Sequence, residues 1–173
     1  EQLERKELEA LKANKGDAVF GKGPEAALLV GEAKGSVRLL TDLRSNTDPD
    51  AQERICMPRL LTTSNAFLND HPEAVVAYIR TLIRASRWAD ENPAEAATCV
   101  AAECAVRPDS IGTYVGPEFH NRYLPRVTPA MLRSTQFMVN FLHDNQLTSR
   151  RFDVEAWVEA GPLAQALALE GVE

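Results

Sequence analysis

The 173-residue chain is 45% hydrophobic and 25% charged, ordinary values for a folded globular protein, which excludes a disordered polypeptide. Its net charge of −6 excludes a general nucleic-acid binder, because phosphate neutralisation needs a concentrated basic surface. No apolar run approaches the roughly 20 residues of a membrane-spanning helix, while a chain this long buries roughly 70% of its unfolded surface, enough for a sizeable core.

The first residues, Glu1-Gln2-Leu3-Glu4-Arg5-Lys6-Glu7, have neither the basic start nor the apolar centre of a secretory signal. They imply either a protein that stays inside the cell or a chain that begins after a missing segment. A charged helix is expected from Gln2 to Ala13, followed by Gly16-Asp17 and a short apolar strand, Ala18-Val19-Phe20. Gly21-Lys22-Gly23 then turns into a helix opened by Pro24 and running to about Ala33, and Ser36-Val37-Arg38-Leu39-Leu40 reads as a second strand. A third strand is expected near Met57 to Thr63.

Beyond that point the pattern is helical. Proline is favoured at the first position of a helix, where its missing N–H would be unpaired anyway. Such starts occur at Gly23-Pro24, His71-Pro72, Asn92-Pro93, Arg107-Pro108 and Thr128-Pro129. From Pro72 to Asp90, Val75, Val76, Ile79, Leu82 and Ile83 fall on one face and Arg80, Arg84 and Arg87 on another. Asn92-Pro93-Ala94-Glu95 has the spacing of a capping box and predicts a helix from about Pro93 to Glu103. From Pro129 to His143, Met131, Ser134, Phe137, Met138, Phe141 and Leu142 gather opposite Arg133, Gln136 and Asn140. Strands alternating with helices in the first half predict an α/β protein with a mainly parallel sheet, of which about three strands are present. So few strands imply that part of the sheet is missing or comes from another chain.

The order of local motifs carries a resemblance. Gly16-Asp17-Ala18-Val19-Phe20 leads to the Pro24 helix start and then to Leu61-Thr62-Thr63-Ser64-Asn65-Ala66-Phe67 and Asn69-Asp70-His71-Pro72-Glu73-Ala74-Val75. Arg87-Trp88-Ala89-Asp90-Glu91-Asn92-Pro93-Ala94-Glu95-Ala96-Ala97 follows. Over residues 15 to 160 the sequence resembles the solute-binding proteins of nitrate, sulfonate and taurine import and the related thiamine-precursor proteins. Phe119-His120-Asn121-Arg122-Tyr123-Leu124-Pro125-Arg126 and Thr135-Gln136-Phe137 look most like the aromatic sulfinate desulfinase branch. The resemblance implies an incomplete periplasmic-binding-protein type II fold, with residues 1–50 closing the second lobe and 51–173 forming the crossover and helical return to the first. In the desulfinase branch the nucleophilic cysteine lies in the absent opening half, and Cys56 does not match it.

Gly21-Lys22-Gly23-Pro24 is the first candidate site, because N–H groups at a helix start favour an anion and glycine permits close approach. The bland alternative is a tight turn with a solvated lysine, and the resembled family often has an aromatic where Lys22 stands. Arg54, Thr62 and Thr63 are the second candidate: the resemblance puts them at the cleft border, and an arginine holds an oxyanion by parallel hydrogen bonds. An exposed arginine and threonines chosen for β propensity are the competing reading. The stripe Arg80, Arg84 and Arg87 fits either an acidic partner or a solvated helix face.

His71, His120 and His143 are too dispersed for a zinc pattern, so no metal or other cofactor is expected. Cys56, Cys99 and Cys104 are expected as buried apolar residues, and Phe119, Tyr123, Phe137, Phe141 and Trp157 as core. No catalytic constellation is visible.

Taken with the resemblance, these features give as the first expectation a binding component of an ABC importer, closing on a small anionic or heteroaromatic ligand of the sulfonate, nitrate, taurine or pyrimidine class. Its partners would be that ligand and the importer's membrane subunits, and its place extracytoplasmic once a signal is removed. The alternatives are a cytoplasmic sulfinate desulfinase-like hydrolase with its catalytic residues in the absent half, and an inactive fragment that forms a homo-oligomer.

Overall fold

The computed structural model describes residues 9–21, 37–51, 59–104, 108, 111 and 123–172. Its regular elements are a short 3-10 turn, Leu43–Ser45, and the helices α1 (Asn65–Asp70), α2 (Pro72–Glu91), α3 (Pro93–Cys104), α4 (Pro129–Asp144), α5 (Val154–Trp157) and α6 (Gly161–Leu169). Residues 9–12 and 49–51 are also helical. The expected helices at 72–90, 93–103 and 129–143 form within a residue of their expected ends. The helix expected from Pro24 lies outside the described residues.

Among the described residues there is no strand, which overturns the α/β, periplasmic-binding-protein type II expectation. Ala18–Phe20, the described part of the second run (37–40) and the described part of the third (59–63) are all irregular. Their large side chains stand in solvent, with Phe20 73%, Leu39 63%, Leu40 67%, Leu60 50% and Leu61 55% exposed. A strand is stable only when a neighbour takes up its ladder of N–H and C=O groups and covers one face. Local β propensity without that neighbour leaves an extended chain.

Helix starts and stops are set by local hydrogen bonding. Ser64 caps α1 by accepting from the Phe67 N–H at 3.1 Å, and Thr128 caps α4 by accepting from the Met131 N–H at 3.2 Å, just ahead of Pro129. A single residue, Asn92, serves both α2 and α3. Its side-chain amide donates to the Trp88 carbonyl at 2.9 Å and its backbone N–H to the same oxygen at 2.8 Å, while its own carbonyl accepts from Ala96 at 2.9 Å.

Two compact units divide the chain. One comprises Glu1–Leu40 and Ala85–Leu124, the other Thr41–Arg84 and Pro125–Glu173. In the first, the described core joins Ala101 and Ile111, with Ala97 and Val100 packed against them. In the second, Val76, Ile79 and Ile83 of α2, Val154 of α5 and Ala166 of α6 are buried. The α2 positions recur at three- and four-residue intervals, as a core-facing stripe requires.

The aromatic core expectation is corrected. Tyr123, Phe137, Phe141 and Trp157 are all 40% exposed or more, and Phe119 lies outside the described residues. On α4 the buried residues are Ser134 and Thr135, and Gln136 and Asn140 are half-buried. The helix is therefore rotated relative to the face its apolar residues predict. The reason is the backbone of 152–154, which meets α4 through Gln136. The Gln136 amide nitrogen donates to the Phe152 carbonyl at 3.1 Å, and its oxygen accepts from the Val154 N–H at 2.9 Å. A carboxamide carries both a donor and an acceptor, so it satisfies two backbone groups at once.

Candidate functional site

Three of the seven residues expected to bind ligand are described. Gly21 is half-buried at the end of an irregular stretch in one compact unit. Thr62 and Thr63 are exposed in the irregular run leading to the Ser64 cap of the other unit. Lys22, Gly23, Pro24 and Arg54 lie outside the described residues.

Sequence reading missed the best-built polar cluster, made by Arg80 and Arg84 of α2 and Glu170 just past α6. Oε1 of Glu170 accepts from Arg80 Nε at 2.6 Å and from Arg84 Nε at 3.0 Å, and lies 2.8 Å from the Arg84 terminal nitrogen Nη2. Oε2 shares Arg84 Nε, also at 3.0 Å. The side chain of Glu170 is only 9% exposed, against 33% for Arg80 and 61% for Arg84. These hydrogen bonds, from Arg84 first and Arg80 second, lower the Glu170 pKa from 4.5 to about 2. The same contacts raise that of Arg84.

Local structure holds the carboxylate in place. Glu170 is the last residue before Gly171, whose φ of +63° is the left-handed conformation that ends many helices. The Gly171 N–H donates to the Ala168 carbonyl at 3.2 Å and the Val172 N–H to the Leu167 carbonyl at 3.0 Å, the paired bonds of a Schellman end. The visible signal was a glycine following an Ala- and Leu-rich run opened by Gly161-Pro162. The arginine stripe is thus partly engaged within the chain, since Arg80 and Arg84 hold Glu170.

A second polar group lies at the end of α4. Asp144 receives an ion pair from Arg151 and stands 3.3 Å from His143 Nδ1, and all three side chains are about half exposed. Exposed aromatic pairs flank this region: Phe137 and Phe141 stack with ring centroids 6.4 Å apart, and Phe152 tilts against Trp157 at 5.5 Å. Cys99 and Cys104 are exposed free thiols, contrary to the buried placement expected of them, and Cys56 lies outside the described residues. Both lie on α3, whose buried residues are Ala96 and Ala101, and Cys104 is its last residue.

Among the described residues no group of three or more His, Cys, Asp and Glu side chains is gathered for a metal ion. No described helix is long and apolar enough to cross a membrane. Chemically, the Arg80–Arg84 pair is an oxyanion holder: planar N–H forks that fit a carboxylate, sulfonate or phosphate. No family model, curated protein or solved structure matches the chain.

Proposed function

We propose that the chain is part of a solute-binding component of an ABC importer that takes a small anionic or heteroaromatic ligand of the sulfonate, nitrate, taurine or pyrimidine class. The observation that carries this reading is the ordered series of segments from Leu61 to Ala97, which resembles that group of binding proteins. Within that series the proline-headed starts His71-Pro72 and Asn92-Pro93 open α2 and α3. The chemistry is binding without bond change, by backbone N–H groups and cationic side chains directed at an oxyanion.

A thermal-shift screen of the full-length protein against benzenesulfonate, taurine, nitrate and pyrimidines tests the proposal. A ligand at a hundred times its Kd stabilises the native state by about 2.7 kcal/mol, a readily measured rise in melting temperature. No shift with any of them overturns the reading, and sulfite release from an aryl sulfinate overturns it in favour of a hydrolase.

The exposed pairs Phe137–Phe141 and Phe152–Trp157 favour a second reading, a homo-oligomer that covers them. Light scattering over a concentration series checks it. A monomer at every concentration removes it.

A further inference from the structure

Arg80 and Arg84 stand four residues apart on α2, so their side chains share one side of the helix. They converge on a single carboxylate, Arg80 through one of its oxygens and Arg84 through both. Arginine recognises a free carboxylate or sulfonate by the same charge-assisted N–H contacts. The occupant is nearly closed off at 9% exposure, yet the Arg84 flank is 61% exposed, which leaves an approach from solvent.

From this geometry we infer that the Arg80–Arg84 pair is a binding site for a small carboxylate or sulfonate, held shut by the chain's own Glu170. The Schellman end at Gly171 presents the carboxylate in one position, so Glu170 acts as a tethered ligand. A tether of this kind competes at an effective concentration of about millimolar or more, and an external anion must exceed it to enter. The contact is autoinhibitory in form: the site opens when Glu170, just past the end of α6, shifts away from α2. This inference goes beyond the importer reading and rests on different residues, so failure of either leaves the other standing.

Isothermal titration of the full chain with benzenesulfonate, and with neutral benzenesulfonamide as control, tests it. Glu170→Ala vacates the clamp. That variant is expected to bind benzenesulfonate at least about tenfold more tightly than the unsubstituted chain, with no gain for the sulfonamide. Adding Arg84→Ala is expected to remove the gain. Equal affinity of the unsubstituted and Glu170→Ala chains, or a gain that survives Arg84→Ala, overturns the inference.

Circular dichroism checks that the variant keeps its helices. If it does not, the Arg Nε–H resonances of the unsubstituted chain decide the question. Movement of the Arg84 signal with sulfonate, but not with chloride at equal ionic strength, supports the site, and equal response to both overturns it.

Discussion

Within each compact unit the described contacts show a different way of fixing a helix. In the unit of Thr41–Arg84 and Pro125–Glu173, directional polar contacts join distant parts of the sequence: Glu170 to Arg80 and Arg84, and Gln136 to the backbone of 152–154. In the unit of Glu1–Leu40 and Ala85–Leu124, the described buried residues are Ser86, Ala89, Ala96, Ala101 and Ile111, with Ala97 and Val100 packed against the last two. Polar contacts fix the register of a helix because donor and acceptor must meet at a set distance and angle. Small apolar residues permit close approach but leave register to the sum of many weak contacts.

The largest test of this difference is truncation of each core. Ile83 and Ile111 are both fully buried, so Ile83→Ala and Ile111→Ala are each expected to cost about 3 kcal/mol through lost transfer energy and a residual cavity. Hydrogen exchange locates the loss. Ile111→Ala is expected to lower protection in α3 first and Ile83→Ala in α2 and its own unit. Uniform loss along the whole chain from either substitution would show one cooperative block instead of two differently built units.

Acid is expected to act on the Glu170 contact. The carboxylate of Glu170 titrates at about 2 when folded against 4.5 ordinarily, so its contribution is present above the higher value and lost as pH falls through the lower. The gap in melting temperature between the unsubstituted chain and Glu170→Ala should therefore be constant above about pH 5 and shrink toward pH 2. A gap that does not change between those limits rules out the clamp as a source of stability.

What the sequence made legible follows the range of each interaction. The starts of α2, α3 and α4 were visible because proline at the first helical position, and at α4 the neighbouring Thr128 cap, act within one turn, whereas the Asn92 side chain, expected to cap α3, bonds back to the Trp88 carbonyl. The stripe of Val76, Ile79 and Ile83 was visible because helical periodicity fixes it. The strands were misread because 18–20, 37–40 and 59–63 have strand-like composition but meet no pairing edge among the described residues, a matter of tertiary partners. The rotation of α4 was hidden for a similar reason: Gln136 faces inward only because a backbone 16 to 18 residues away requires its amide. Likewise Glu170 lies 86 to 90 residues from its arginines, and spacing alone cannot pair them. Of the candidate site, the sequence placed arginines correctly on one side of α2 but pointed to other residues, most of them outside the described stretches.

A smaller effect is expected from the caps that set helix ends in the polar unit. Thr128→Ala removes the acceptor for the Met131 N–H and should cost about 1 kcal/mol by chemical denaturation, with fraying confined to the first turn of α4. Thr128→Ser, which keeps the oxygen, should recover most of it. A cost of several kcal/mol would mean that this turn carries packing that its half-buried setting does not indicate.

The smallest effect belongs to the pair Asp144–Arg151, because not every polar contact in that unit carries register. Both side chains are about half exposed, so water and salt compete for each charge and the gain from pairing is set against the ordering of a long arginine side chain. Asp144→Asn is therefore expected to change stability by about 0.5 kcal/mol or less, with the difference vanishing at about 1 M salt. The nearly covered carboxylate of Glu170 is the contrasting case: it is reached by two arginines, whereas Asp144 offers its charge to solvent on most sides. If Asp144→Asn proved as costly as Glu170→Ala in the same denaturation assay, burial would not be what separates the clamp from an ordinary surface pair.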